Sequence, residues 1–129
     1  MANQFVVQLK NEPGSMANLA EALAARGVDL RAIGGGGIGD AGHVIMTTAD
    51  DDTTKAVLDE GGYTYIEGES ILTEVDDKPG GMAALSRQLA DAGVNIYGHL
   101  FLGRWGDRAM FAFVVDDPDR ARQILERKR

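Results

Sequence analysis

Displacing the chain by 66 residues lays it on itself, and this internal repeat restricts the architecture more than any other feature. Asn11-Glu12-Pro13-Gly14-Ser15-Met16-Ala17 falls on Asp77-Lys78-Pro79-Gly80-Gly81-Met82-Ala83. Leu19, Leu23, Ala24, Gly27 and Val28 fall on Leu85, Leu89, Ala90, Gly93 and Val94, and Asp50-Asp51 falls on Asp116-Asp117. Two of the 3 prolines hold one position of the repeat. The 129 residues are therefore expected to form two modules, residues 1–67 and residues 68–129.

Hydrophobic period changes in the same order in both modules. Phe5, Val7 and Leu9 alternate with Val6, Gln8 and Lys10, and Ile71, Thr73 and Val75 repeat the pattern, which reads as a strand. Pro-Gly ends each strand. Met16, Leu19, Leu23 and Met82, Leu85, Leu89 then recur at the spacing of one helix stripe, so both methionines are expected in the core. Gly27 and Gly93 stop the helices. Alternation returns in Val28, Leu30, Ala32 and Val94, Ile96, then in Val44, Met46 and Met110, Ala112, Val114. These read as hairpins with glycine-rich connections at Gly34–Gly42 and Gly103–Gly106. Asp50-Asp51-Asp52 and Asp116-Asp117-Pro118 open the second helices. Tyr63-Thr64-Tyr65-Ile66 supplies a last strand to the first module, and the second is expected to lack one. The fold class that follows is α+β, with two tandem ferredoxin-like (βαββαβ) modules on antiparallel sheets. Phe111, Phe113 and Val115 alternate with Met110, Ala112 and Val114, so this strand is apolar on both sides and its outer face or edge is expected to be covered.

Charge and composition exclude several functions. Lys and Arg number 13 against 20 Asp and Glu, a net charge of −7, which argues against nucleic acid as a partner. The absence of Cys removes disulfides, thiolate nucleophiles and Cys-bound metals. No apolar run approaches a membrane span and no secretion signal is evident, so a cytoplasmic protein without a membrane partner is expected. There is no nucleophile–base pair, so catalysis and a cofactor are not expected.

A strand ending in Asp/Asn-x-Pro-Gly, a Met-Ala-x-Leu helix and then Gly-Val-Asp/Asn-Leu/Ile resembles the ACT domain family, from about Phe5 to Leu125. The resemblance implies small regulatory modules that bind amino acids where modules pair. It also implies that Asp29 and Asn95, just after the first helix of each module, contact ligand. The length leaves no room for an appended enzyme, so a stand-alone tandem protein is expected.

The candidate binding residues are Asn11, Pro13, Gly14, Ser15, Met16 and Asp29 in the first module, and Asp77, Pro79, Gly80, Gly81, Met82 and Asn95 in the second. A helix start offers unpaired N–H groups and partial positive charge, so a carboxylate can rest there without Lys or Arg. The prolines fix the approach of the chain, and the glycines clear space for a ligand. Asp77, Asp29 and Asn95 are acceptors for an ammonium. Charge-assisted hydrogen bonds contribute roughly 1.5–3 kcal/mol each, whereas association costs on the order of 4–15 kcal/mol. A loop alone therefore binds weakly, and a neighbouring module must close the site. The expected partners are a free amino acid or similar small carboxylate, a second copy in a homodimer, and a partner enzyme or regulator. The alternative is a non-catalytic assembly module that contacts an enzyme without binding a ligand.

Other signals point elsewhere. Gly34-Gly35-Gly36-Gly37-Ile38-Gly39 satisfies G-x-G-x-x-G, but His43-Val44-Ile45-Met46-Thr47 follows as a strand rather than a helix, so a mobile hairpin tip is expected, long enough to serve as a flap. His43 and His99 lack ligand-spaced partners, and no metal is expected. Arg120, Arg122, Arg127, Lys128 and Arg129 complement the dipole of the last helix. Trp105 is expected at a hairpin tip, in a contact between modules or chains.

Overall fold

A computed structural model describes residues 3–126, which form two compact units divided between Gly68 and Glu69. Arg127, Lys128 and Arg129, assigned above to the dipole of the last helix, lie outside the described residues. The first unit runs β1 (Gln4–Lys10), α1 (Ser15–Ala25), β2 (Leu30–Ile38), β3 (Ala41–Thr48), α2 (Asp51–Glu60) and β4 (Tyr65–Gly68). The second runs β5 (Ile71–Asp76), α3 (Gly81–Asp91), β6 (Ile96–Trp105), β7 (Arg108–Val115) and α4 (Pro118–Glu126). Sheet order is β2-β3-β1-β4 in the first and β5-β7-β6 in the second, with every pairing antiparallel. This is the ferredoxin-like α+β arrangement. Among the described residues the second unit has no counterpart of β4.

Each helix pair covers one sheet face, and that layer is the core. In the first unit Phe5, Val7, Val44 and Met46 pack with Leu19, Leu23, Val57 and Leu58. In the second, Ile71, Val75, Phe113 and Val115 pack with Leu85, Leu89 and Ala121. Ala112 and Val114, on the other face of β7, are buried as well. Asp50 caps α2 by accepting from the Thr53 N–H at 3.0 Å and the Thr53 hydroxyl at 2.6 Å, which holds its carboxyl below the ordinary value of 3.8.

Four expectations are corrected. Met16 is not a core residue. It is 37% exposed because it stands in the first turn of α1, above the sheet's edge, whereas Met82 packs against its core. Gly34–Gly37 is not a mobile tip. It is strand, paired residue by residue with Gly42–Ile45 of β3, so the turn shrinks to Gly39-Asp40. The same holds at Gly103, which lies inside β6, leaving Gly106-Asp107 as the turn. The mate of Asp50 is Asp117 rather than Asp116: Asp117 accepts from the Arg120 N–H at 3.1 Å as Asp50 does from Thr53. A bulge between Phe101 and Gly103 inserts one residue into β6, so the repeat offset changes within that strand. Trp105 ends β6 at 60% exposure with its ring beside Gly103, where an added Cβ would lie 3.1 Å from the indole.

Candidate functional site

The Pro-Gly segments are type II turns. The Ser15 N–H reaches the Glu12 carbonyl at 3.3 Å, and the Gly81 N–H reaches that of Lys78 at 3.1 Å. Gly14 and Gly80 take φ of 91° and 88°, the left-handed third position that such a turn requires, with proline at the second. These glycines are therefore demanded first by the backbone. The Ser15 and Gly81 amides, expected to hold a ligand, are spent on closing the turns. The backbone N–H groups of Gly14, Met16, Gly80 and Met82 make no hydrogen bond within the described residues, and the space above Gly14 and Gly80 is open.

Asn11 and Asp77 fasten the turns to the hairpins. Asn11 receives no ligand-like role from its surroundings: its Nδ2 donates to the Gly39 carbonyl at 2.9 Å, and its N–H to that of Asp40 at 3.0 Å. Gly37 is bare because a Cβ there would come within 2.6 Å of the Asn11 side chain. The Asp77 N–H donates to the Asp107 carbonyl at 2.8 Å, and its carboxylate accepts from Arg104 Nε at 2.8 Å.

Beside the first turn lies a cavity of about 290 Å³, lined by Lys10, Asn11, Ser15, Met16, Ile33, Gly34–Gly36 and Val44 among others. Its floor is the glycine strand. Gly35 admits the close approach of β3, since a Cβ would meet the His43 carbonyl at 2.4 Å, while Gly36 faces open space. At the matching place in the second unit Phe101 and Phe111 stack edge-on at 5.6 Å, and the Arg104 guanidinium lies 4.7 Å from the Phe101 ring. Side chains there cover what glycines leave open in the first unit. The second turn instead borders a different cavity on the outer side of β5, lined by Lys78, Gly80 and Gly81.

Of the acceptors assigned to an ammonium, Asp77 adjoins the second turn but is engaged by Arg104, and Asp29 and Asn95 do not join the turns within a unit. The Asp29 carbonyl receives the Ala49 N–H at 3.0 Å and Asn95 exchanges bonds with Asp116, both at the end of β3 or β7 remote from the hairpin turn. Asn11 sits at the start of β3, and a strand of 8 residues separates the two levels. At about 3.4 Å per residue that is some 25 Å, many times the span of an amino acid's two charges. The Asp29 carboxylate is engaged by Arg31 at 3.2 Å.

Lys10, Ile33 and His43 line the first cavity without having been singled out by motif. Register would have found them: Lys10 is the last strand residue before the turn, and His43 pairs with Gly36 on the adjoining strand. Among the described residues no group of His, Asp or Glu is arranged to hold a metal, and no helix is long and apolar enough to cross a membrane.

No protein-family model matches the chain, and no curated protein matches it. Solved structures do. A Bacteroides thetaiotaomicron protein superposes with a TM-score of 0.73 at 20% identity, over 98% of this chain and 88% of its own. The regulatory subunit of aspartate kinase from Thermus flavus gives 0.68 at 15% identity, over 98% and 92%. That from Thermus thermophilus, in ligand-free form, gives 0.61 at 19% identity, over 96% and 87%. Together with the element order and sheet topology, these likenesses show the fold, two ferredoxin-like α+β units as in the aspartate kinase regulatory subunits.

Proposed function

We propose that this chain is a non-catalytic regulatory protein that binds a free amino acid or similar small carboxylate at the turn preceding α1. The observation that supports the reading is the cavity of about 290 Å³ beside a helix start whose Gly14 and Met16 amides are unengaged, with Lys10 and Ser15 on its wall. Amide dipoles favour an anion at that spot, and Lys10 offsets the Glu12 carboxylate that lines the same cavity. The glycine floor leaves room for its side chain. Asp29 lies too far away to take the ammonium in the same unit, so a second copy supplies that contact and the protein works as a homodimer. Occupancy then favours the paired state, because a ligand shifts an equilibrium only by binding one state better.

A thermal-shift screen of the twenty amino acids against the full chain tests this, since a saturating ligand raises stability by mass action. One amino acid should raise Tm and increase the dimer fraction in light scattering. Met16→Glu, which sets a carboxylate on the cavity wall at an exposed position, should abolish the shift while leaving the unliganded Tm near its original value. An unchanged Tm with every amino acid would overturn the proposal and favour the assembly-module reading.

A further inference from the structure

In the first unit the outer edge of β1 is occupied. β4 runs antiparallel to it, with Gln4 opposite Gly68, Val6 opposite Ile66 and Val7 opposite Tyr65. Tyr65 packs inward against Phe5 at 6.1 Å and belongs to the core layer. The Gln8 N–H donates to the Thr64 carbonyl at 2.9 Å, which shows that Gln8, Val6 and Gln4 turn their backbone groups toward β4.

The repeat carries this arrangement onto β5, where Glu74 and Leu72 turn the same way and Thr73 replaces Val7. No strand lies on that edge among the described residues. A cavity of about 700 Å³ stands there, lined by the whole of β5 and roofed by Gly81, Ala84 and Leu85 of α3 and Arg122 and Leu125 of α4. Thr73 is 7% exposed, faces this space, and its Oγ1 has no hydrogen-bond partner among the described residues. A buried hydroxyl left unpaired costs about 1–3 kcal/mol, and the valine at the matching position of the first unit carries no such group. The rim is charge-balanced: Arg122 pairs with Glu69, Arg108 with Asp76 and Glu74, and Lys78 with Asp76.

We propose that the open edge of β5 receives an extended, uncharged strand from a partner protein, seated antiparallel as β4 is on β1, with a hydrogen-bonding side chain opposite Thr73. Backbone pairing to Leu72 and Glu74 supplies affinity, and the recess over Thr73 reads the inward side chain. The neutral rim selects against a charged strand, and the first unit shows that the fold accepts a strand in this register. The proposal is independent of ligand binding at the α1 turn.

The probes are two synthetic peptides added to the intact chain: the sequence Gly62–Gly68 with Glu67→Gln so that its side chains are uncharged, and the same peptide with its central Tyr65→Gln as well. Backbone NMR shifts of the protein should move in β5, α3 and α4, and the glutamine peptide should bind roughly 3–10-fold more tightly, the worth of one hydrogen bond. Thr73→Val should erase that preference while keeping the fold. Ala84→Trp, at an exposed position that fills the roof, should weaken both peptides at least tenfold on the same conversion scale. No shift at millimolar peptide would overturn the proposal. So would shifts confined to the first unit, binding indifferent to Ala84→Trp, or self-association of the chain through β5 that excludes the peptide.

Discussion

Beside its Pro-Gly turn the first unit presents bare backbone at Gly34–Gly36, while the second presents Phe101, Phe111 and Arg104. At the opposite edge the relation reverses: β4 and Tyr65 close the first unit, and the second is open along β5. One backbone plan thus leaves room in two different places. A shared plan conserves the core stripe, the turn and the caps, which the fold needs twice. It does not conserve the surface between elements, where side-chain size alone decides whether a small molecule or a strand has somewhere to go.

Exchanging residues between the units breaks or sharpens this contrast. The largest effect is expected at the start of α3. A Cβ on Gly81 would lie 2.1 Å from the Asp76 carbonyl, whereas its mate Ser15 carries one without strain. Gly81→Ser should cost about 2–3 kcal/mol and Ser15→Gly under about 1, both by denaturant titration. Equal costs would show the two turns to be interchangeable after all. Tyr65→Ala comes next. It should cost about 2 kcal/mol and open in the first unit the groove that the second already has, so that the β4 peptide added in trans restores part of the loss.

Alkaline pH separates the units more gently. The Tyr65 hydroxyl donates to Asp59 at 2.6 Å, a bond that pushes its pKa up to about 12 from an ordinary 10.0. Its folded value is the higher one, so the contribution is complete below pH 10 and disappears as pH climbs through about 12. Tyrosinate absorbance should show Tyr65 titrating late, and Asp59→Asn should bring it back toward the ordinary value. The smallest effect concerns Asp50, whose carboxyl is held low by Thr53. Its contribution is present above the ordinary 3.8 and falls away as pH drops through the lower folded value. Asp50→Ala should lower Tm at neutral pH and lose that effect in acid.

Element order, the Asp50 cap and the core stripes were legible from period and repeat, because burial imposes them directly. The lining of the first cavity was not. Lys10 and His43 reach it through β1–β3 and β2–β3 register, a long-range property that no local window contains. Gly34–Gly37 resembled a loop because composition speaks for flexibility, yet β3 supplies a ladder that holds it flat. Met16 shared a stripe with Leu19 and Leu23 but stands where the helix has not yet reached the sheet. Asp29 matched a family position, yet nothing in one unit's chain path brings it to the turn.

The left-handed residue after each proline has a practical corollary for anyone scanning genomes. Because steric geometry alone enforces the dipeptide, finding it diagnoses an architecture and is silent about chemistry. Annotation built on that signature would label silent paralogues as sensors, and the informative letters are the small ones on the neighbouring hairpin.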